Sequence, residues 1–155
     1  MLTMLPLLAM AQAAAAQPQG SVTPANPAGI VALLQREGYK AKLEKDQEGD
    51  PMISSAAGGS EFQVLFYDCT NHINCGSLTF HAGYDADKGK EPSADTIVKF
   101  NREWRYGRAF LDDDKDPILE YDIAFGGLPM ADKMFVDNLD AFVSTMGSFE
   151  KAIDW

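Results

Sequence analysis

A chain of 155 residues, 46% hydrophobic and 23% charged, has the composition of an ordinary globular protein and is long enough for one domain with its own core. Its net charge of −10 argues against general nucleic-acid binding, which needs a basic footprint, and against binding to anionic membrane surfaces. The excess of carboxylates serves solubility first.

Residues 1–16, MLTMLPLLAMAQAAAA, carry no charge, hold an apolar run from Leu2 to Met10 and end in an alanine tract with the small-x-small pattern of a cleavage site. The run is too short to span a membrane. It reads as a secretory signal peptide cleaved after Ala16, although its first residues lack the usual Lys or Arg; the competing reading is an apolar helix that stays on the protein. Export predicts a periplasmic or secreted protein with no stable membrane anchoring. Residues 17–25, QPQGSVTPA, read as a flexible linker, and 26–155 as the folded domain.

Asn26 as N-cap and Pro27 at the first helical position start a helix over 27–37, with Ile30, Leu33 and Leu34 on one stripe and Gly38 as its stop. Residues 39–46 alternate Tyr39, Ala41 and Leu43 with Lys40, Lys42 and Glu44, a strand with one face in water. A short strand over 51–55 follows, then a glycine-containing turn. Residues 61–82 are a hairpin: Phe62, Val64 and Phe66 alternate with Gln63, Leu65 and Tyr67, and Leu78, Phe80 and Ala82 with Ser77, Thr79 and His81, around the turn TNHIN. Ser93 caps a helix over 94–105 with Ile97, Phe100 and Trp104 inward. A second hairpin joins 108–111 to 117–125 around the acidic turn DDDKD. Gly126-Gly127 ends it, and Leu128-Pro129 opens a last helix whose stripe runs from Met134 and Phe135 through Leu139, Phe142 and Met146 to Phe149, with Gly147 ending or bending it. The order α-β-β-β-β-α-β-β-α with short turns predicts an α+β fold, a largely antiparallel sheet with helices packed on it.

Cys69 and Cys75 bracket the hairpin loop. In an exported chain they predict a disulfide that pins the hairpin register and contributes about 2 kcal/mol. Cys69, His72 and Cys75 are also zinc-ligand types, with Asp68 or His81 as a fourth, but the well-separated second ligand segment of structural zinc sites is missing. Asp112, Asp113, Asp114 and Asp116 offer oxygens to calcium, yet no glycine stands sixth from Asp112 and the twelfth residue is Ile123, so a solvated turn is the favoured reading. Asp68 and Asp122 interrupt apolar strands; facing one cleft they would suit acid–base hydrolysis. Lys99, Arg102, Arg105 and Arg108 form a basic strip, the first three spaced by three on the second helix, which suits an acidic partner surface or a solvated face.

The stretch FQVLFYDCTNHINCGSLTFHAGY, followed by FNREWRYGRAFLDDDKDPILEYDIAFGGLPM, resembles the YbjN domain family. Its members carry a strand ending in Cys, a short loop and a second strand. They then show an Asn-bearing helix, an Arg-Ala-aromatic strand, an acidic turn, a strand with a central Asp, and Gly-Gly before the last helix. The resemblance covers roughly residues 30–155. It implies a fold like that of type III secretion chaperones, an α+β sandwich that often dimerises, and a family described as bacterial sensory transduction regulators. It carries over no catalytic residue, metal or cofactor. A cleavable signal would set this chain apart from cytoplasmic members. The expectation is therefore an exported, non-enzymatic module that binds a protein or peptide partner, as a homodimer or alone. The alternatives are a hydrolase using Asp68 and Asp122, or a metal-binding module at Cys69, His72 and Cys75.

Overall fold

The computed structural model describes residues 20–155. Six strands form one antiparallel sheet: β2 (Ala41–Lys45), β3 (Pro51–Ala57), β4 (Ser60–Tyr67), β5 (Ser77–Gly83), β6 (Arg108–Leu111) and β7 (Pro117–Ala124), in the order β2-β3-β4-β5-β7-β6. Three helices, α1 (Pro27–Arg36), α2 (Ala94–Glu103) and α3 (Asp132–Ile153), complete an α+β fold in the predicted order. A small second sheet pairs β1 (Ser21–Val22) with β8 (Met130–Ala131).

Local signals act where the sequence places them. Asn26 Oδ1 accepts from the Gly29 N–H at 3.3 Å to cap α1, and Ser93 Oγ accepts from the Thr96 N–H at 3.1 Å to cap α2. Gly58 and Gly59, at φ +63° and +97°, make the two-residue turn that joins β3 to β4; two successive positive φ values are what such a tight hairpin turn needs.

The alternation of β4 and β5 builds the core. Phe62, Val64, Phe66, Leu78, Phe80 and Ala82 are all buried. They meet Phe135, Leu139, Phe142, Met146 and Phe149 on α3, a stripe at spacings of three and four. Phe80 sits at the centre, 5.4 Å from the Phe142 ring and 5.5 Å from the Phe135 ring. Each fully buried phenyl contributes about 1.5–3 kcal/mol by leaving water, so this cluster is the main favourable term of the fold.

Three boundaries differ from the sequence reading. The presumed linker is tied down from Gly20 onward: Val22 is buried, and the Asp132 N–H donates to the Gly20 carbonyl at 2.9 Å. The last helix starts at Asp132 rather than at Leu128-Pro129, because Met130 and Ala131 pair with β1 first. Ala131 supplies no side-chain cap, and Arg36 of α1 instead binds Asp132 in the first turn at 2.5 Å. The far end of α3 runs past Gly147 to Ile153. The third difference is α2, which stops at Glu103; Trp104 is already extended (φ −112°, ψ 137°), so Arg105 lies outside the helix. The signal-peptide reading falls on residues outside those described. No described helix is long and apolar enough to cross a membrane.

Four tyrosines titrate above their ordinary value near 10. Burial is the first cause at Tyr39, Tyr67, Tyr84 and Tyr121; the carboxylates of Asp140 at Tyr39, Glu120 at Tyr67 and Glu150 at Tyr84 add to it. A phenol held neutral in the folded state lends stability that is complete below the unfolded pKa and is lost as pH climbs past it. Denaturant unfolding from pH 8 upward should therefore show stability constant to about pH 10 and falling above it, with tyrosinate absorbance of the native protein lagging that of the unfolded chain. Coincident native and unfolded titration curves would contradict this.

Candidate functional site

Strand alternation sends one set of side chains to the helices and the other to the opposite face. All three helices lie on the side of Phe62, Phe80 and Tyr121, and among the described residues no helix covers the other side. That uncovered face carries Met52 and Ser54 from β3, Gln63, Leu65 and Tyr67 from β4, and Ser77, Thr79 and His81 from β5. Lys42 and Glu44 from β2, Ile118, Glu120 and Asp122 from β7, and Arg108 and Phe110 from β6 lie on it as well.

Charges run across the strands through this face. The register sets His81 beside Glu120, Glu120 beside Arg108, and Thr79 beside Asp122. His81 Nδ1 lies 3.1 Å from Glu120 Oε1. Arg108 binds the other oxygen of Glu120, stands 3.8 Å from Asp122, and holds its guanidinium 5.3 Å from the Phe110 ring. Thr79 Oγ1 donates to Asp122 Oδ1 at 2.6 Å. Glu120, with its side chain only 12% exposed, is satisfied by two partners, as a nearly buried carboxylate must be.

Two hollows flank this ladder. One of about 740 Å³ is lined by Lys42, Glu44, Ser54, Gln63, His81 and Ile118 among others. The second, about 640 Å³, is lined by Tyr67, Asp68, Thr79, Arg108, Glu120 and Asp122. His81 borders the first and Glu120 the second, so their pair forms the ridge between them. Half-exposed Tyr67 overlooks the second hollow, and its phenol is pushed up by burial and by the Glu120 and Asp122 carboxylates.

The residues singled out in the sequence distribute unevenly over this geometry. Asp68 and Asp122 do line one hollow, but each already accepts a β5 hydroxyl: Ser77 donates to Asp68 at 2.6 Å, as Thr79 does to Asp122. The basic strip divides. Lys99 and Arg102 stay exposed on α2 and Arg105 turns over the Tyr106 ring at 5.4 Å, whereas Arg108 lies on the uncovered sheet face bound to Glu120. The sulfurs of Cys69 and Cys75 stand 2.08 Å apart, the distance of a disulfide bond, so in this state they are not a pair of thiolate ligands. His72 instead reaches Asp50 of the β2–β3 turn, Nδ1 to Oδ1 2.7 Å. In the acidic turn, Asp112 Oδ1 accepts the N–H groups of Asp114 and Asp116, both at 2.9 Å, and Asp116 accepts the Ala86 N–H at 2.8 Å. These carboxylates shape a turn. Among the described residues no group of three or more His, Cys, Asp or Glu side chains is placed to hold a metal ion.

Sequence reasoning missed the ridge. His81 and Glu120 were each visible as the polar member of an alternating strand, but their meeting depends on β5 lying next to β7, a pairing across the α2 crossover that no local pattern announces.

A family model named YbjN, described as "Putative bacterial sensory transduction regulator", matches residues 26–155, from the cap of α1 to the end of α3. None of the curated proteins and none of the solved structures matches the chain. The matched span contains the whole six-stranded sheet and all three helices, and the chain belongs to the YbjN family.

Proposed function

We propose that this chain is an exported, non-catalytic regulatory module that receives an extended segment of a partner protein across the uncovered sheet face. The family description supports a regulatory role. The observation that carries the binding reading is the face itself: a six-stranded sheet with helices, among the described residues, on one side only, and with two hollows of about 740 and 640 Å³ on the other. A segment laid on such a surface finds apolar contacts at Leu65, Tyr67 and Phe110 and hydrogen-bonding groups between them. Carboxylates outnumber cations around both hollows: Asp68, Glu120 and Asp122 against Arg108 in one, and Glu44, Glu61, Asp85, Asp112 and Asp116 against Lys40 and Lys42 in the other. The fitting segment alternates apolar with basic residues. Lys99 and Arg102 on α2, with Arg105 beyond it, lie apart from this face as a solvated basic strip.

Export rests on the leader-like residues 1–16, and the pairing of Cys69 with Cys75 suits an oxidising compartment. Intact mass of the protein from the periplasmic or secreted fraction should correspond to a chain beginning at Gln17, with both cysteines alkylated only after reduction. A full-length intracellular species with two free thiols would overturn export.

The binding reading is tested with a fluorescent peptide that alternates leucine and lysine, against its glutamate counterpart. The basic peptide should bind, and Tyr67→Ala and Asp122→Lys should each weaken it by about tenfold, the size expected from losing an aromatic anchor or reversing a close charge. Equal binding of both peptides, or wild-type affinity in both variants, would contradict it.

A further inference from the structure

The two edges of the large sheet are finished differently. At β6, the side-chain amide of Asn101 donates to the Ala109 carbonyl and accepts its N–H, both at 2.8 Å, and so occupies the edge as a neighbouring strand would. At β2, nothing among the described residues does this. The Asp46 N–H donates to Asp50 at 2.9 Å, which fixes which residues bond inward: Lys42, Glu44 and Asp46 face β3, and Pro51, which has no N–H, falls opposite Lys45 where none is needed. The backbone groups of Ala41, Leu43 and Lys45 therefore point away from the sheet. Among the described residues only the Ala41 carbonyl has a partner there, Gln35 Nε2 at 3.0 Å. Leu43 is 44% exposed at this edge and borders an apolar hollow with Pro27, Pro51 and Ile73, itself 60% exposed.

An open edge of this kind is ordinarily guarded by lysines, and β2 has them. Its charges, however, form a palindrome: in Lys40-Ala41-Lys42-Leu43-Glu44-Lys45-Asp46, reflection about Leu43 sets Lys42 opposite Glu44 and Lys40 opposite Asp46. The outward-bonding residues obey the same centre, since Leu43 then meets Leu43 and Ala41 meets Lys45, all of them edge-facing. We propose that β2 pairs antiparallel with β2 of a second copy of this chain, two-fold symmetric about Leu43, joining two six-stranded sheets into one. The pairing is isologous. Lys42 and Glu44 of opposite copies fall at the non-hydrogen-bonded positions, where facing side chains come closest, and the two Leu43 side chains meet beside the apolar hollow. A parallel arrangement in the same register would set Lys against Lys at three positions, so the charges select the antiparallel one. This interface uses the sheet edge; Lys40, Lys42 and Glu44 also line the first hollow of the sheet face, whereas none of the residues that line the second takes part.

Sedimentation velocity of the chain as recovered from cells, across the micromolar range, tests it. The wild-type chain should be a reversible dimer. Lys42→Glu and Glu44→Lys should each weaken the dimer by about tenfold or more, because each sets two like-charged pairs face to face. The double variant, which restores opposite charges across the two-fold, should return to near wild-type association. Leu43→Pro, checked for fold by circular dichroism, should be monomeric, and amide exchange at Leu43 and Lys45 should slow as wild-type concentration rises. A monomer throughout the range would overturn the proposal. So would a dimer indifferent to the single charge reversals, or a double variant as weak as the singles. Peptide binding by a monomer would leave the face reading standing while this one fell.

Discussion

One-sided burial governs this molecule. In β4 and β5, phenylalanines, leucine and valine occupy every second position, and α3 supplies a matching stripe at helical spacing, so the two elements can bury their apolar groups only against each other. Everything else is placed by that contact. Helices α1 and α2 fill the flanks of the same side, Phe100 of α2 reaching Phe149 of α3 with ring centroids 4.8 Å apart. Among the described residues no helix covers the opposite parity of the same strands, and its side chains settle into cross-strand pairs instead of a core. The functional reading therefore follows from the same alternation that makes the fold.

The loop from Cys69 to Cys75 shows a local version of such constraint. Asp68, Asn71, His72 and Asn74 all take left-handed backbone, with φ between +52° and +63°, and none is glycine. Asn and Asp tolerate that region better than most residues, and His72 is held there by Asp50. The Thr70 and Ile73 backbones bond each other across the loop, and the Gly76 N–H closes on Tyr67 at 3.0 Å. Cysteines and histidine that resemble a ligand set in sequence thus serve to fasten one hairpin tip and dock it on the neighbouring turn.

Much of the fold was legible because its signals are local and periodic. The caps Asn26 and Ser93, the alternation through Phe62–Phe66 and Leu78–Ala82, and the α3 stripe are all written within a few residues of where they act. What was missed has no local signature. Strands of two residues, such as Ser21-Val22 and Met130-Ala131, show no period, and their pairing moved the start of α3 past a Pro that is otherwise a good helix opener. The spacing that carried the α2 reading on to Arg105 continues past the point where Trp104 leaves the helix. Of the site, Asp68 and Asp122 sharing a hollow was posed correctly as a question. The ladder of His81, Glu120, Arg108 and Asp122 was not accessible, because it arises from the order β5-β7-β6 rather than from any spacing along the chain.

On the proposed function the partner meets the uncovered sheet face and not the helical layer. Photo-crosslinking in cells producing the full chain addresses it directly, with a photoreactive residue placed in turn at Tyr67 on the sheet face and at Val98 on the outer side of α2, positions of similar exposure at 45% and 56%. Crosslinked species of defined mass from position 67 and none from position 98 is the predicted result. Crosslinks from position 98 alone would place the partner on the helices and contradict the account.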